Sequence, residues 1–420
     1  MYREIFESIV DMTHHDYAGH EMKRGSSTPD YYREKLNECT MDDQSFEALV
    51  QGYLTDFQEL HMGFRFLDSN RQMDAGFTVR RYENRLYVTT SHREGVEKGD
   101  AIVSLDGSSI EEVAEIHERR LQSSHPEREN WAALLLEAGE ADLVTAEGKR
   151  SNIVLEPQVK PTYSPTYMVE SLEDEVLLLT LTDFWDHDAI AELIQAHHDE
   201  LSRCEKLIID VRTNKGGSDL AYFELLPYIF HGSHVDMSQF GDCALTLCTE
   251  RNVDLRVQLM EQVLASTEDA ETRRHIHVMI RELEKNRGKG FVELDLSEIE
   301  EGVSFDTKEG PENVVVLSDV YCGSSGDSFV ETVKHSEKVT VIGRPTLGMN
   351  DYANVAVITF HDTFQFWYPT SKSSAVDEGR GMSGVGIAPD VYIPWTPEHL
   401  QRDVDLDRAV LWLNEKVETK

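Results

Sequence analysis

Three glycine-containing turns, each directly after a run of apolar residues, carry the groups most able to do chemistry in this sequence. They are DVRTNKGG at 210–217, SDVYCGSSGDSFVETVK at 318–334 and GRPTLGMNDYANV at 343–355. Continuous apolar runs are typical of strands buried on both faces of a sheet. Because open parallel sheets bind ligands at the carboxyl ends of their strands, these turns are the first candidates for a site.

The second turn places a serine hydroxyl where a predicted strand passes into a predicted helix. Ser324 precedes Ser325, Gly326 and Asp327, and the N–H groups of an electropositive helix terminus are able to hold an oxyanion. The same Ser-x-x-Asp spacing ahead of an apolar helix is also typical of a capping box. The residues leave both interpretations open, and the turn does not match the G-x-S-x-G nucleophile elbow of the α/β-hydrolases.

The other two turns have structural as well as chemical explanations. Gly216 and Gly217 follow a predicted buried strand. Either their backbone N–H groups point into a cleft, or the two glycines simply form an ordinary left-handed turn before a helix. The third turn, between two strands, needs no function to explain it.

Strands and helices alternate around the turns. The apolar runs are VLLLTL at 176–181, LIIDV at 207–211, VVVL at 314–317 and VTVIG at 339–343. An amphipathic helix over 188–203 and the helical AYFELLPYIF separate the first strands, which predicts an α/β core with a mostly parallel sheet. Upstream, short alternating strands dominate 73–157, with Glu83–Asn84 as a hairpin tip.

These patterns divide the chain into five parts. We expect an N-terminal helical cap at 1–70, a β-rich domain at 71–157, an α/β core at 158–231 and 309–398, a charged helical insertion at 232–308 and a C-terminal helix at 399–420.

Composition limits the partners. The 420 residues carry 78 acidic and 40 basic side chains, a net charge of −38 that repels nucleic acid and anionic membranes. This acidity either steers a basic substrate or only serves solubility. We expect a reduced, cytoplasmic protein. The sequence has no long apolar window and no signal-like N-terminus, and its five cysteines are scattered: Cys39, Cys204, Cys243, Cys248 and Cys322.

No cofactor or metal is predicted. The sequence has no H-E-x-x-H, no paired C-x-x-C, no P-loop and no G-x-G-x-x-G.

Taken in order, four segments resemble the tail-specific (C-terminal-processing) serine peptidases. They are LIIDVRTNKGG, VVVLSDVYCGSSGDSF, VIGRPTLG and GVGIAPDV, within roughly 175–395. KGDAIVSLDG at 98–107 is similar, in degenerate form, to part of the PDZ-like domain of that family. The resemblance implies a crotonase-like α/β core that cleaves peptides through an acyl-enzyme.

The resemblance also implies roles for single residues. The nucleophile of the family falls on Ser324, and its oxyanion donors fall on the backbone N–H of Ser325 and of Gly216 or Gly217. Methionine, which cannot accept a proton, stands at position 349, where the Ser/Lys branch carries its basic lysine. Neither Lys334 nor Lys372 matches that motif.

A second branch, which includes the tricorn core, uses histidine as the base. Here FQELHMGFRF at 57–66 offers His61 in an acid-x-His pattern with Glu59, and imidazole suits proton abstraction near neutral pH. Leu60 replaces the serine that precedes the histidine in tricorn-like members. Glu378 is the predicted orienting acid, with a solvated loop carboxylate as the alternative.

The sequence therefore predicts a serine-type peptidase that cleaves peptides or unfolded C-terminal tails. We expect the substrate to bind by adding a strand to a sheet of the protein. A homo-oligomer is compatible with the sequence. A catalytically inactive protein that binds peptides or apolar ligands is the alternative, because Met349 and Leu60 both depart from catalytic branches. An esterase or amidase that uses the same serine is a third hypothesis.

Overall fold

The computed structural model describes residues 1–38, 41–67, 73–123, 125–237, 240, 242–299 and 304–418. Cys39 and the predicted boundary at 70/71 lie outside these residues. The chain divides into two compact units. The first unit comprises Met1–Asn70, Asp236–Ser304 and Met349–Ser383, and the second comprises Arg71–Val235, Phe305–Gly348 and Gly384–Lys420.

The protein is mixed α/β. The helices are Tyr2–His15 (α1), His20–Lys23 (α2), Pro29–Glu38 (α3), Asp43–Thr55 (α4), Ile110–Ile116 (α5), Ala132–Glu137 (α6), His187–Ala196 (α7), His198–Arg203 (α8), Leu226–Ile229 (α9), Glu250–Ser266 (α10), Ala270–Lys285 (α11), Ser325–Val333 (α12), Ser374–Asp377 (α13) and Val404–Glu418 (α14). The strands are Gly63–Phe66 (β1), Met73–Asp74 (β2), Phe77–Tyr82 (β3), Arg85–Ser91 (β4), Ala101–Leu105 (β5), Ser108–Ser109 (β6), Glu140–Val144 (β7), Arg150–Val154 (β8), Gln158–Val159 (β9), Tyr167–Ser171 (β10), Val176–Leu181 (β11), Lys206–Asp210 (β12), His234–Asp236 (β13), Ala244–Leu247 (β14), Phe291–Glu293 (β15), Ser304–Asp306 (β16), Asn313–Ser318 (β17), Val339–Gly343 (β18), Tyr352–Phe360 (β19), Phe364–Ser373 (β20) and Val391–Tyr392 (β21).

The second unit contains the mostly parallel sheet that the sequence predicts. Its strand order is β10-β11-β12-β17-β18-β21, with only the β10–β11 pair antiparallel. One face packs on α14 through Ala409 and Leu413, against strand residues such as Ile208 and Leu317. Consecutive residues of β11, β12 and β17 are buried, so both faces of the sheet are covered, which explains why these strands read as continuous apolar runs.

The same unit contains an antiparallel sheet of order β3-β4-β5-β7-β8. The hairpin predicted at Glu83–Asn84 is confirmed, because Tyr82 pairs with Arg85 and Glu83 has a φ of 55°. Trp131 and residues of α5 and α6 pack with these strands into a separate core. We call residues 73–159, which carry β2 to β9, the β-rich segment.

The first unit combines the N-terminal helices with an antiparallel sheet of order β1-β20-β14-β15, in which β19 also pairs with β20. An aromatic cluster joins helices and sheet, because Phe46 of α4 contacts Phe64 and Phe364 with ring centroids 5.6 and 5.2 Å apart. The sequence did not anticipate that β19 would pair here, or that the charged 232–308 region would contribute β14 and β15 to this sheet.

A group of buried ion pairs lies among the strand ends of the second unit. Arg344, which follows β18, is 1% exposed and binds Asp319 and Asp405, while Arg80 also binds Asp319. Burial acts to raise the pKa of Asp405, but its hydrogen bonds with His399 and Arg344 outweigh burial and hold the pKa below its ordinary value. Buried charges of this kind need every partner, because an unpaired ion in the interior is costly.

We therefore expect Arg344→Met to lower the free energy of unfolding by about 3–5 kcal/mol, because it strips charged partners from two buried carboxylates. The matched control is Arg281→Met, which removes a 2.6 Å ion pair with Glu298 at an exposed position. Urea unfolding followed by tryptophan fluorescence compares the two variants. Equal unfolding midpoints for both variants would contradict the prediction.

Candidate active site

Ser324 occupies the tight turn between β17 and α12, with φ 58° and ψ −124°. A non-glycine residue seldom adopts this left-handed region, and residues held there cluster at functional sites. The backbone N–H of Ser324 donates to Oδ2 of Asp327 at 2.8 Å, which accounts for the Ser-x-x-Asp spacing. Although G-x-S-x-G is missing, the geometry is a strained serine between a strand and a helix, as in a nucleophile elbow.

Asp327 connects this turn to the turn after β18. Its carboxylate is fully buried, and its second oxygen, Oδ1, accepts the N–H of Gly348 at 2.8 Å. The two carboxylate oxygens therefore accept one backbone N–H from the serine turn and one from the turn after β18. The sequence pointed to Asp327 as a cap but not to this second bond.

The first glycine turn packs directly against Ser324. Gly216 has a φ of 75°, and a Cβ placed on it would lie 2.5 Å from Cβ and 3.0 Å from Oγ of Ser324. Its own N–H donates to Oδ1 of Asn214 at 2.9 Å, and the Asn214 amide in turn donates to the carbonyl of Leu181. Only glycine fits this contact, so the turn is shaped around the serine.

Gly217 presents its polar groups to the start of α12. Its neighbours face the other way, because Phe184 donates to the carbonyl of Gly216 and accepts from Ser218. In this parallel pairing, the N–H and C=O of Gly217 lie on the opposite side, and its carbonyl accepts from the Ser325 hydroxyl at 2.9 Å. The structure thus brings Ser324, Ser325, Gly216 and Gly217 together within the second unit.

His61 lies in the first unit, between α4 and β1. Its Nδ1 is 2.8 Å from the main-chain carbonyl of Tyr352. A carbonyl only accepts hydrogen bonds, so Nδ1 carries the proton and Nε2 is the basic nitrogen of the neutral ring. The Tyr352 carbonyl is a positioning group that the sequence could not reveal, since every residue has one.

Glu59 fixes the backbone around His61. Its Oε1 accepts the N–H of His61 at 3.1 Å, while its Oε2 accepts from the Tyr17 hydroxyl at 2.7 Å and from Lys23 at 3.1 Å. Burial and the neighbouring Glu59 raise the pKa of Tyr17 well above its usual range, so the phenol stays a donor. The acid-x-His pattern read from the sequence is therefore a backbone clamp.

Glu378, the predicted orienting acid, also lies in the first unit. It forms a salt bridge with Arg380 at 2.7 Å, and both side chains are more than half exposed. Among the lysines, Lys372 pairs with Asp377 at 2.6 Å and Lys334 pairs with Asp390. The described contacts give His61 a carbonyl acceptor, and the role of Glu378 stays a prediction.

Within the described residues, no group of three or more His, Cys, Asp and Glu side chains could hold a metal ion. Over the same part of the chain, none of the helices has the length and apolar character needed to span a bilayer.

Solved structures with a similar fold include several proteases. Mature CPAF has 13% sequence identity and a TM-score of 0.67, with 97% of this chain and 95% of that chain covered. The CPAF complex with lactacystin has 13% identity and a TM-score of 0.63 over 99% and 97% of the two chains. Photosystem II D1 C-terminal processing protease is more distant, at 14% identity and a TM-score of 0.43 over 97% and 98%.

No curated protein matches the sequence. The family model "Peptidase family S41" matches residues 175–393, slightly more than half of the chain. That range contains the parallel strands, both glycines and Ser324. The chain belongs to peptidase family S41, a family of serine peptidases.

Proposed function

We propose that the protein is a serine endopeptidase that cleaves peptides or unfolded C-terminal tails through an acyl-enzyme. The observation that carries this proposal is the conformation of Ser324, which holds φ at 58° at the start of α12 and in contact with Gly216. Strain at a residue with a nucleophilic side chain, inside the range that matches a peptidase family, supports catalysis rather than capping alone.

In the proposed reaction, Oγ of Ser324 attacks the scissile carbonyl while Nε2 of His61 takes the hydroxyl proton. The bond between Nδ1 of His61 and the Tyr352 carbonyl supports this role, because in the neutral ring it leaves Nε2 as the nitrogen that can accept a proton. His61 then protonates the leaving amine, and water activated by His61 hydrolyses the acyl-enzyme.

The N–H groups of Gly217 and Ser325 are the proposed oxyanion donors. Gly216 was an equal candidate from the sequence, but its N–H already donates to Asn214. These two N–H donors, one in the glycine turn and one at the start of α12, would stabilise the charge that develops on the substrate oxygen. Removal of one such donor costs about 10²–10³-fold in kcat.

In this proposal, the β-rich segment binds an extended substrate tail, as a PDZ-like domain does. Its antiparallel strands support this, since an edge strand can pair with a peptide. A serine of this kind also attacks esters and amides, so the relative rates on peptide and ester substrates separate a peptidase from an esterase or amidase.

Ser324→Ala should abolish labelling by a fluorophosphonate probe and lower peptide hydrolysis by about 10⁶-fold, since the attacking hydroxyl is lost. The control is Ser325→Ala, which removes the neighbouring hydroxyl, a donor to the Gly217 carbonyl, and keeps the Ser325 N–H. In-gel labelling and turnover of a peptide library are the measurements. Label that survives in Ser324→Ala and disappears in Ser325→Ala would move the nucleophile by one residue, and an unlabelled wild type would favour the binding-protein alternative.

His61→Ala should lower kcat by about 10²–10⁴-fold, the usual contribution of a general base. His15→Ala is the control, because His15 is an exposed histidine of α1 paired with Asp11. Glu378→Gln belongs in the same assay: a loss above tenfold would support an orienting acid, whereas unchanged kcat would leave that task to the Tyr352 carbonyl. Full activity of His61→Ala would exclude His61 as the base.

Gly216→Ala should inactivate the enzyme, because its methyl group would overlap the Ser324 side chain. Gly95→Ala is the matched control, since Gly95 has a similar φ of 78° and no atom within 4 Å of an added Cβ. Both variants carry the same backbone penalty, so a difference in fluorophosphonate labelling reports the contact with Ser324. Equal labelling of the two variants would refute this role of the glycine turn.

A further inference from the structure

The β-rich segment reaches the serine turn through a buried arginine. Arg80, on β3, donates from Nη1 and Nη2 to the two carboxylate oxygens of Asp319, both at 2.8 Å. The Arg80 and Asp319 side chains are 3% and 8% exposed. Asp319 directly follows β17 and stands five residues before Ser324. Two parallel hydrogen bonds fix orientation as well as distance, which a single bond does not do.

The surroundings of Arg80 hold its side chain in one position. Its guanidinium carbon lies 5.4 Å from the Tyr321 ring centroid and 5.3 Å from that of Trp395. Among the described residues, Nε of Arg80 is one of the few buried polar side-chain atoms without a hydrogen-bond partner. A buried unsatisfied donor needs an explanation beyond stability, since an apolar residue would fill the space without this loss.

Asp319 passes this constraint to the turn. Its Oδ1 accepts the N–H of Val320 at 2.7 Å, and its main-chain carbonyl accepts the N–H of Cys322 at 2.9 Å. The next residue, Gly323, donates to the carbonyl of Asn214 at 3.0 Å. Hydrogen bonds therefore lead from Arg80 through Asp319 to Cys322, two residues before Ser324, and Asn214 holds the residue between them.

A second arginine of the β-rich segment holds the opposite side of the turn. Arg128 donates to the main-chain carbonyls of Thr346 and Leu347, at 2.9 and 2.7 Å. Leu347 donates its N–H to the carbonyl of Cys322 at 2.7 Å, and Gly348 is the residue bonded by Asp327. The loop held by Arg128 thus contacts the serine turn at two points.

We infer that Arg80 and Arg128 are positioning residues that hold the Ser324 turn in its reactive conformation, so that the β-rich segment is part of the catalytic apparatus. This inference rests on the proposed function of Ser324. Neither arginine contacts the reacting atoms in this assignment; both act through Asp319 and the 346–348 loop. A displacement of about 1 Å at a reacting group costs about 10²-fold in rate, which is the scale of the expected effect.

The test compares Arg80→Met and Arg128→Met with Arg81→Met. Arg81, the next residue on β3, is partly buried and pairs with Glu129 at 2.7 Å inside the β-rich segment. We expect each of the first two variants to lower kcat and the fluorophosphonate labelling rate at least about tenfold. KM should change by less than about twofold, because the effect falls on the transition state rather than on binding. Arg81→Met should match the wild type.

Circular dichroism and the thermal midpoint identify the folded fraction to which all rates are normalised, so a purely structural role would lower the midpoint without changing the normalised rates. Arg80→Lys keeps the charge without the two-pronged geometry, so its rates should fall between those of Arg80→Met and wild type. If Arg80→Met does not fold, wild-type rates in Arg80→Lys would overturn the inference.

The inference would also be overturned if folded Arg80→Met had the same kcat and labelling rate as the labelled wild type. A loss of rate in Arg81→Met as large as that in Arg80→Met would overturn it too. If the wild type itself is not labelled, the proposed serine mechanism fails and the positioning role falls with it.

Discussion

A serine held in a left-handed backbone conformation is the constraint on which the second unit depends. Such a conformation costs about 1–3 kcal/mol and persists only where the surroundings impose it. Here Asp327 takes the N–H of Ser324, and Gly216 leaves room for the side chain because it lacks a Cβ. β17 and the first three residues of α12 are buried, so packing on both sides supports the turn.

Buried ion pairs hold the strand ends beside this turn. Asp319 lies between Arg80 and Arg344, and both arginines outweigh the burial that would raise the pKa of this carboxyl, so its pKa is lowered. Pairs of this kind add little net stability compared with apolar packing, but they define directions in space. A site that must hold a hydroxyl within a fraction of an ångström benefits from that directional control.

In the first unit, hydrogen bonds to the ring and to the backbone N–H fix His61 in a comparable way. The Tyr352 carbonyl selects the tautomer, and buried Glu59 holds the main chain of His61. Tyr17 and Lys23 donate to the other carboxylate oxygen of Glu59, so both oxygens of this side chain accept hydrogen bonds. Met349 and Leu60, which look like losses in the sequence, leave this arrangement intact.

The sequence alone determined the parallel strands, the hairpin at Glu83–Asn84, the family resemblance and the choice of Ser324, because apolar runs, turn residues and short motifs act locally. Tertiary structure decided the rest. Arg80 and Asp319 are 239 positions apart, and the φ of Ser324, the acceptor for His61 and the placement of β19 depend on which segments pack together. Every residue has a main-chain carbonyl, so the sequence does not show which one acts as an acceptor. Two charged residues far apart in the sequence are recognised as an ion pair only when the fold buries them together.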